Sequence, residues 1–301
     1  DGPGEAGDGK RAPAVARPCV RLGAHALGFK GHVRGLMKRK QAVIHATSPA
    51  RLLTLARDLK RRKARERNSL FVAEGVRSVE EVVRSTAVLR GALVTDALLS
   101  GPRASALMAS LAARGAECVT VTEDEFRSAA GTDNPHGVLA IAEVPERALE
   151  SLAPADLARV LVLDAIQDPG NVGALIRTAA ALGARTVVAL PGTADPWNSK
   201  VVRAAAGGHF HLIVAHTDLP DLVNVLAAAN VPLWGADAAG RPVTALRAPG
   251  VFALAMGNEG AGLSAGVRQV AAELVSLPMT PGVESLNVAV AAGVLLYALG
   301  R

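Results

Sequence analysis

This chain of 301 residues predicts two α/β units in tandem, the second built on a mainly parallel sheet. Three observations carry that reading. From Pro49 onward, helix-like and strand-like segments alternate, the order that crossover connections between strands produce. Arg159-Val160-Leu161-Val162-Leu163-Asp164 is an almost unbroken apolar run, as expected of a strand covered on both faces. Between the halves, Pro145 to Pro154 carries two prolines and several charges, the composition of a linker. The expected boundaries are 1–48, 49–145 and 155–301.

Residues 1–48 are Gly, Pro, Ala and basic residues without periodicity, so they read as a disordered basic extension. Pro49 to Arg67 reads as one helix, with Leu52, Leu55 and Leu59 on a single stripe and basic residues opposite. A strand Leu70–Ala73, a helix Gly75–Ser85 and a strand Ala92–Val94 follow. The first unit closes with a helix Ala104–Arg114 and strands Cys118–Val121 and Val138–Glu143. In the second unit the first strand leads into a helix Val172–Leu182. Strands are then expected at Thr186–Leu190, Leu212–Ala215, Pro232–Ala236, Val251–Met256 and Glu273–Leu277, with helices at Ser199–Ala206 and Leu219–Ala229. The last helix opens at Ser285, whose hydroxyl suits the free N–H groups there, with Asn287 in the first turn.

Half the residues are hydrophobic, much of it Ala. The longest apolar run near the end, Val288 to Leu299, has 12 residues, too short for a bilayer and suited to a buried helix. The basic start lacks the apolar core of a secretory signal. Cys19 and Cys118 form neither a metal-ligand spacing nor a disulfide framework, so a cytoplasmic setting is expected. His209, His211 and His216 lie close in sequence with no carboxylate or thiol to complete a metal set. No metal and no membrane are expected.

Charge is divided unevenly. Residues 1–67 hold 17 Lys and Arg against 5 Asp and Glu, and the remainder holds 16 against 22. A basic segment on a mildly acidic body points to a polyanion, RNA or DNA, with Lys60-Arg61-Arg62-Lys63-Ala64-Arg65-Glu66-Arg67 as the densest patch. The alternative is a solvated helix face. Aromatic residues make up only 3%, which argues against base stacking on a sheet.

Three segments of the second unit carry chemistry. In Asp168-Pro169-Gly170-Asn171-Val172-Gly173, Pro169-Gly170 makes a turn into a helix and Gly173 permits close backbone approach; Arg177 follows. An Arg there is a rigid fork for phosphate or a developing oxyanion, or a surface salt-bridge partner. Met256-Gly257-Asn258-Glu259-Gly260-Ala261-Gly262 places Asn-Glu in a tight glycine loop. Leu277 to Ala292 runs strand, loop, helix N-terminus, a place to hold a ligand. A dinucleotide site would need G-x-G-x-x-G and an acidic residue ending the next strand. Only Gly170-x-x-Gly173 is present, and that strand ends Ala189-Leu190-Pro191. A P-loop is absent as well.

In this order the three segments resemble the three motifs of the SpoU–TrmH family, RNA 2′-O-ribose methyltransferases of the SPOUT superfamily. The first unit resembles the family's accessory substrate-binding domain, with Phe71-Val72-Ala73-Glu74-Gly75 near its start and His136-Gly137-Val138 near its end. The resemblance spans Pro49 to Arg301. It implies a trefoil knot in the C-terminal domain, S-adenosylmethionine as methyl donor, and a homodimer through that domain. Asn171, Arg177, Glu259, Ser285 and Asn287 fall on the family's catalytic positions. Gly257, Asn258, Leu277, Met279 and Leu286 fall where the cofactor is held. Arg51, Lys60, Arg61, Arg62, Lys63, Arg65, Lys200 and Arg203 are the residues expected to meet RNA. Ala206 stands where family members often have Ser. Ribosomal RNA is favoured; transfer RNA, or a non-catalytic RNA-binding role on the same fold, are the alternatives.

Overall fold

The computed structural model describes residues 49–145, 147–280, 282 and 285–300, all of them within one unit of the chain. The basic extension expected at 1–48 lies outside them. Helix α1 (Pro49–Asp58) and helix α2 (Arg62–Asn68) replace the single helix expected there. The break has a cause: Nη1 of Arg65 donates to the carbonyls of Leu59 (2.7 Å) and Lys60 (2.9 Å), which a continuous helix would use itself.

Strand β1 (Leu70–Glu74), helix α3 (Val76–Arg84) and strand β2 (Leu89–Val94) follow. Next come helices α4 (Asp96–Leu99) and α5 (Ala104–Ala113), strand β3 (Cys118–Thr120), helix α6 (Glu123–Ala129) and strand β4 (Val138–Glu143). The sheet order is β1-β4-β2-β3, with only β2 and β3 parallel. Helix α6 is absent from the sequence-based reading although its signal is present: Thr122 and Glu125 form a capping box. The expected linker holds short 3-10 turns at Leu149–Ser151 and Pro154–Leu157.

The second unit comprises β5 (Arg159–Asp164), α7 (Pro169–Ala181), β6 (Thr186–Ala189), α8 (Ser199–Ala204), β7 (Ile213–His216) and α9 (Leu219–Ala228). It continues with β8 (Leu233–Pro242), β9 (Phe252–Gly257), α10 (Ala265–Val270), β10 (Glu273–Ser276) and α11 (Val288–Leu299). All six strands are parallel, in the order β10-β8-β9-β5-β6-β7. The apolar strand β5 sits inside the sheet and is buried from Val160 to Asp164, as its composition requires. His209 lies in a 3-10 turn (Gly208–Phe210) before β7, not on a strand beside His211.

Helix α11 covers α7 through Ala292, Leu295, Leu296 and Leu299. Burying each leucine contributes about 1.5–3 kcal/mol. The expectation of a wholly buried last helix fails on the other face, where Val290 (54%), Val294 (46%) and Tyr297 (56%) are exposed.

The two sheets are tied together. Phe71 of β1 stacks against Trp197 (4.8 Å), which stacks on His209 (4.7 Å). Beside them Arg65, 5% exposed, donates to Asp195 from Nε (2.8 Å) and Nη2 (2.5 Å). The fork of Arg65 is thus buried and engaged inside the protein, where the sequence led us to expect an exposed side chain facing RNA.

Candidate active site

The strands β5, β9 and β10 end at Asp164, Gly257 and Ser276 on one edge of the sheet, the carboxyl edge, where parallel sheets hold ligands. Asp164, almost fully buried, accepts from the Ser264 N–H (2.6 Å) and pins the chain after the glycine loop. Asp168 caps α7 by accepting from the Asn171 N–H (2.9 Å). Neither carboxylate is legible as a site residue from sequence, except as an acid ending an apolar strand and an acid before a Pro at a helix start.

Asn287, not Ser285, caps α11: its Oδ1 accepts from the N–H groups of Ala289 (3.0 Å) and Val290 (3.4 Å). The helix begins at Val288, so Ser285 is two residues too early; its side chain is exposed and has no hydrogen-bond partner among the described residues. The cap fixes the rest of the geometry. With Oδ1 taken, Nδ2 of Asn287 must donate, and it does so to Oδ1 of Asn171 (3.0 Å). Nδ2 of Asn171 then donates to Oε1 of Glu259 (2.7 Å). One residue from each motif thus enters a single directional line, from the positive end of α11 to a carboxylate.

The loop behind Glu259 is fastened by Asn258. Its Nδ2 donates to the Ala165 carbonyl (2.9 Å), and its Oδ1 accepts from the N–H groups of Gly260 (3.0 Å) and Ala261 (3.1 Å). Both ends of that side chain are thus engaged by the fold. A Cβ on Gly257 would collide with the backbone of Gly262 and Leu263, so only glycine closes the loop this tightly. At Gly173 a Cβ would lie 2.5 Å from that of Ala204, so the glycine lets α8 close on α7. Leu277 and Met279 are half-buried and Leu286 is 44% exposed.

Arg177 does not join the polar line. It lies six residues beyond Asn171, about 9 Å along the axis at ~1.5 Å per residue, and is exposed without a hydrogen bond or ion pair among the described residues. It lines a cavity of ≈ 900 Å³ between the two sheets, together with Arg203 of α8. The salt-bridged reading of Arg177 is not what the fold builds.

The basic patch is spread over several surroundings. Lys60 donates to the Ser128 carbonyl (3.2 Å), Arg61 pairs with Asp58, and Arg62 pairs with Glu66 (2.6 Å). Arg51, Lys63 and Lys200 are exposed. His209 is buried with Nε2 at 2.7 Å from the Pro196 carbonyl, and burial lowers its pKa to about 4. Among the described residues no group of three His, Cys, Asp or Glu side chains could hold a metal, and no helix is long and apolar enough to cross a membrane.

A family model described as the SpoU rRNA Methylase family matches residues 158–297, and one described as the MRM3-like substrate binding domain matches residues 54–140. The chain is 38% identical over 239 residues to the 23S rRNA (guanosine(2553)-2'-O)-methyltransferase RlmP of Bacillus subtilis, covering 79% of this chain and 91% of the relative. It is 36% identical over 191 residues to the 23S rRNA (guanosine-2'-O-)-methyltransferase RlmB of Ralstonia nicotianae, covering 62% and 77%. Among solved structures it resembles the AdoMet-bound rRNA methyltransferase of Sinorhizobium meliloti (TM-score 0.72, 28% identity, 82% of this chain and 93% of the other). It equally resembles the SpoU methyltransferase AviRb of Streptomyces viridochromogenes in complex with AdoMet (TM-score 0.72, 27% identity, 83% and 97%).

Proposed function

The chain belongs to the SpoU rRNA methylase family, and on that premise we propose that it methylates a ribose 2′-OH of 23S ribosomal RNA in the cytoplasm, with S-adenosylmethionine as donor. The observation that carries the reading is the line Asn287–Asn171–Glu259, which draws three distant motifs into one polar array.

The residues at the carboxyl edge fit the donor. Its adenine needs apolar cover beside backbone hydrogen-bonding groups, and Leu277, Met279 and Leu286, which follow β10 at the same edge of the sheet, leave apolar surface accessible. When bound, S-adenosylmethionine supplies a sulfonium methyl group that needs no further activation. What remains for the protein is to orient the hydroxyl and to stabilise the charge that develops on it. Arg177 suits the stabilising role. It acts as an electrostatic clamp through its planar fork of N–H donors and not as a base. The polar line holds Glu259 and Asn171 in fixed directions for the ribose, and exposed Ser285 lies two residues before Asn287 in the chain.

We assign the same family's knot and homodimer to this chain as part of the proposal. The exposed stripe Leu286, Val290, Val294 and Tyr297 on and before α11 supports a second copy docking there. Val290→Asp with Val294→Asp should convert the dimer to a monomer in light scattering; an unchanged mass would remove this face from the interface.

The functional test is to incubate the protein with labelled S-adenosylmethionine and total RNA, then map 2′-O-methyl positions with and without it. A new mark in 23S RNA is expected. A mark in transfer RNA alone would reassign the substrate, and cofactor binding without any transfer would make this a non-catalytic RNA-binding protein.

A further inference from the structure

Four guanidinium groups converge on the cavity between the sheets. Arg77, in the first turn of α3, and Arg103, just before α5, come from the substrate-binding domain, while Arg177 and Arg203 come from the methylase domain. The side chains of Arg77, Arg103 and Arg177 are exposed and make no hydrogen bond or ion pair among the described residues. Arg203 approaches Glu74 at 3.9 Å, and its Nη1 is buried without a hydrogen-bond partner. The oxygens of Glu74 also accept from the Gly131 N–H (2.7 Å) and the Thr132 hydroxyl (2.6 Å), which fix the carboxylate in place. The other lining carboxylate, Glu123, is exposed in the first turn of α6.

Four cations against two carboxylates leave a concave wall with excess positive charge. Such groups repel one another unless an anion enters. Arginine forks match phosphate oxygens in pairs. At ≈ 900 Å³ the open cleft is within the usual range of small-ligand sites, about 300–1,000 Å³, room for one nucleotide. Aliphatic residues such as Val76 and Leu98 complete the wall, suited to the face of a base. Arg177, which serves the transfer centre, also lines the cavity, so the two adjoin and a neighbouring nucleotide of the same strand can enter the cavity.

Resting on the methyltransferase reading, we propose that this cavity takes one unstacked nucleotide of single-stranded RNA next to the methylated ribose. Its phosphodiester lies between the arginines of the two domains, and Glu74 steadies Arg203. Single-stranded segments are where RNA offers unstacked bases and accessible phosphates.

The test uses the full chain, a fluorescein-labelled single-stranded RNA dodecamer, and the same strand annealed to its complement. Anisotropy is read across a salt series for the wild type, Arg77→Glu and Arg103→Glu, with methyl transfer to ribosomal RNA measured in parallel. Both substitutions lie on exposed side chains, so melting temperature and S-adenosylmethionine affinity should be unchanged. Each should weaken single-strand binding at least tenfold and flatten the dependence of log K on log salt by about 0.7 for every phosphate left unneutralised. Wild-type affinity and slope in both variants, or equal binding of the duplex, would overturn the assignment. If the wild type binds RNA through these arginines yet transfers no methyl, the methyltransferase reading falls and the cavity assignment stands. If it transfers methyl and both variants match it, the cavity assignment falls alone.

Discussion

Replacing Asp195 by Ala should destabilise the protein far more than any surface ion pair could. Arg65 is 5% exposed and Asp195 is 14% exposed at its side chain. Asp195 receives two of the guanidinium N–H groups, at 2.8 and 2.5 Å, and its other oxygen accepts from the Trp197 N–H at 2.9 Å. Removing the carboxylate strands a buried cation, at a cost of about 3–5 kcal/mol. The freed Trp197 N–H adds about 1 kcal/mol. In a protein of this size that corresponds to a fall in melting temperature of roughly 5–15 °C. Urea unfolding followed by circular dichroism at neutral pH measures it. The control is the pair Arg65→Met with Asp195→Leu, which removes both charges and fills the space. It should recover at least about 2 kcal/mol of the Asp195→Ala loss, because no charge is then buried alone. The Leu59 and Lys60 carbonyls still lose their donor, so recovery stays incomplete. A loss below about 1 kcal/mol for Asp195→Ala, or a double variant no better than the single ones, would refute the reasoning.

Three further outcomes are expected. Asn171→Ala breaks both bonds of the polar line and should lower kcat for methyl transfer about 100-fold, with stability little changed because the residue is only half-buried; an unchanged kcat would reduce the line to a structural one. Gly257→Ala drives a Cβ into the backbone of Gly262 and Leu263, so the loop must move. Calorimetry should show S-adenosylmethionine affinity reduced at least tenfold, with about 1–3 kcal/mol of stability lost. Below pH 6.5 the unfolded state protonates His209 while the folded state resists down to about 4. Stability is therefore full above pH 6.5 and falls as pH drops through that window, by about 3 kcal/mol at ~1.36 kcal/mol per pH unit. His209→Gln should flatten that slope in denaturant melts from pH 7 to 4, and an unchanged slope would assign the acid loss elsewhere.

What the sequence reveals depends on range. Apolar runs report local burial, so β4 and β5 appear with the bounds that composition implies, Val138–Glu143 and Arg159–Asp164. Short-range chemistry is less decisive. Ser285 and Asn287 are both good caps, and only the actual start of α11 decides for Asn287. The capping box at Thr122 and Glu125 is readable, but the segment after it has too few apolar residues to stand out as a helix. Long-range pairing is not legible at all. Arg65 lies in the densest basic patch and looks like an RNA contact until Asp195, 130 residues away, is placed against it. Glu74 likewise reads only as the residue after a strand until Thr132 and Arg203 meet it.

The line from Glu259 through Asn171 to Asn287 also has a consequence for when the protein can work. Asn171 and Asn287 are 116 residues apart. At roughly 5–20 residues per second of synthesis, about 6–23 s pass between making the first and the last member. Until then α7 has no lid and Asn171 has no donor from α11. Most of the chain, including its arginine-lined cavity, therefore exists before the array that we propose orients the ribose. On that proposal a nascent copy would gain its means of holding RNA before its means of modifying it.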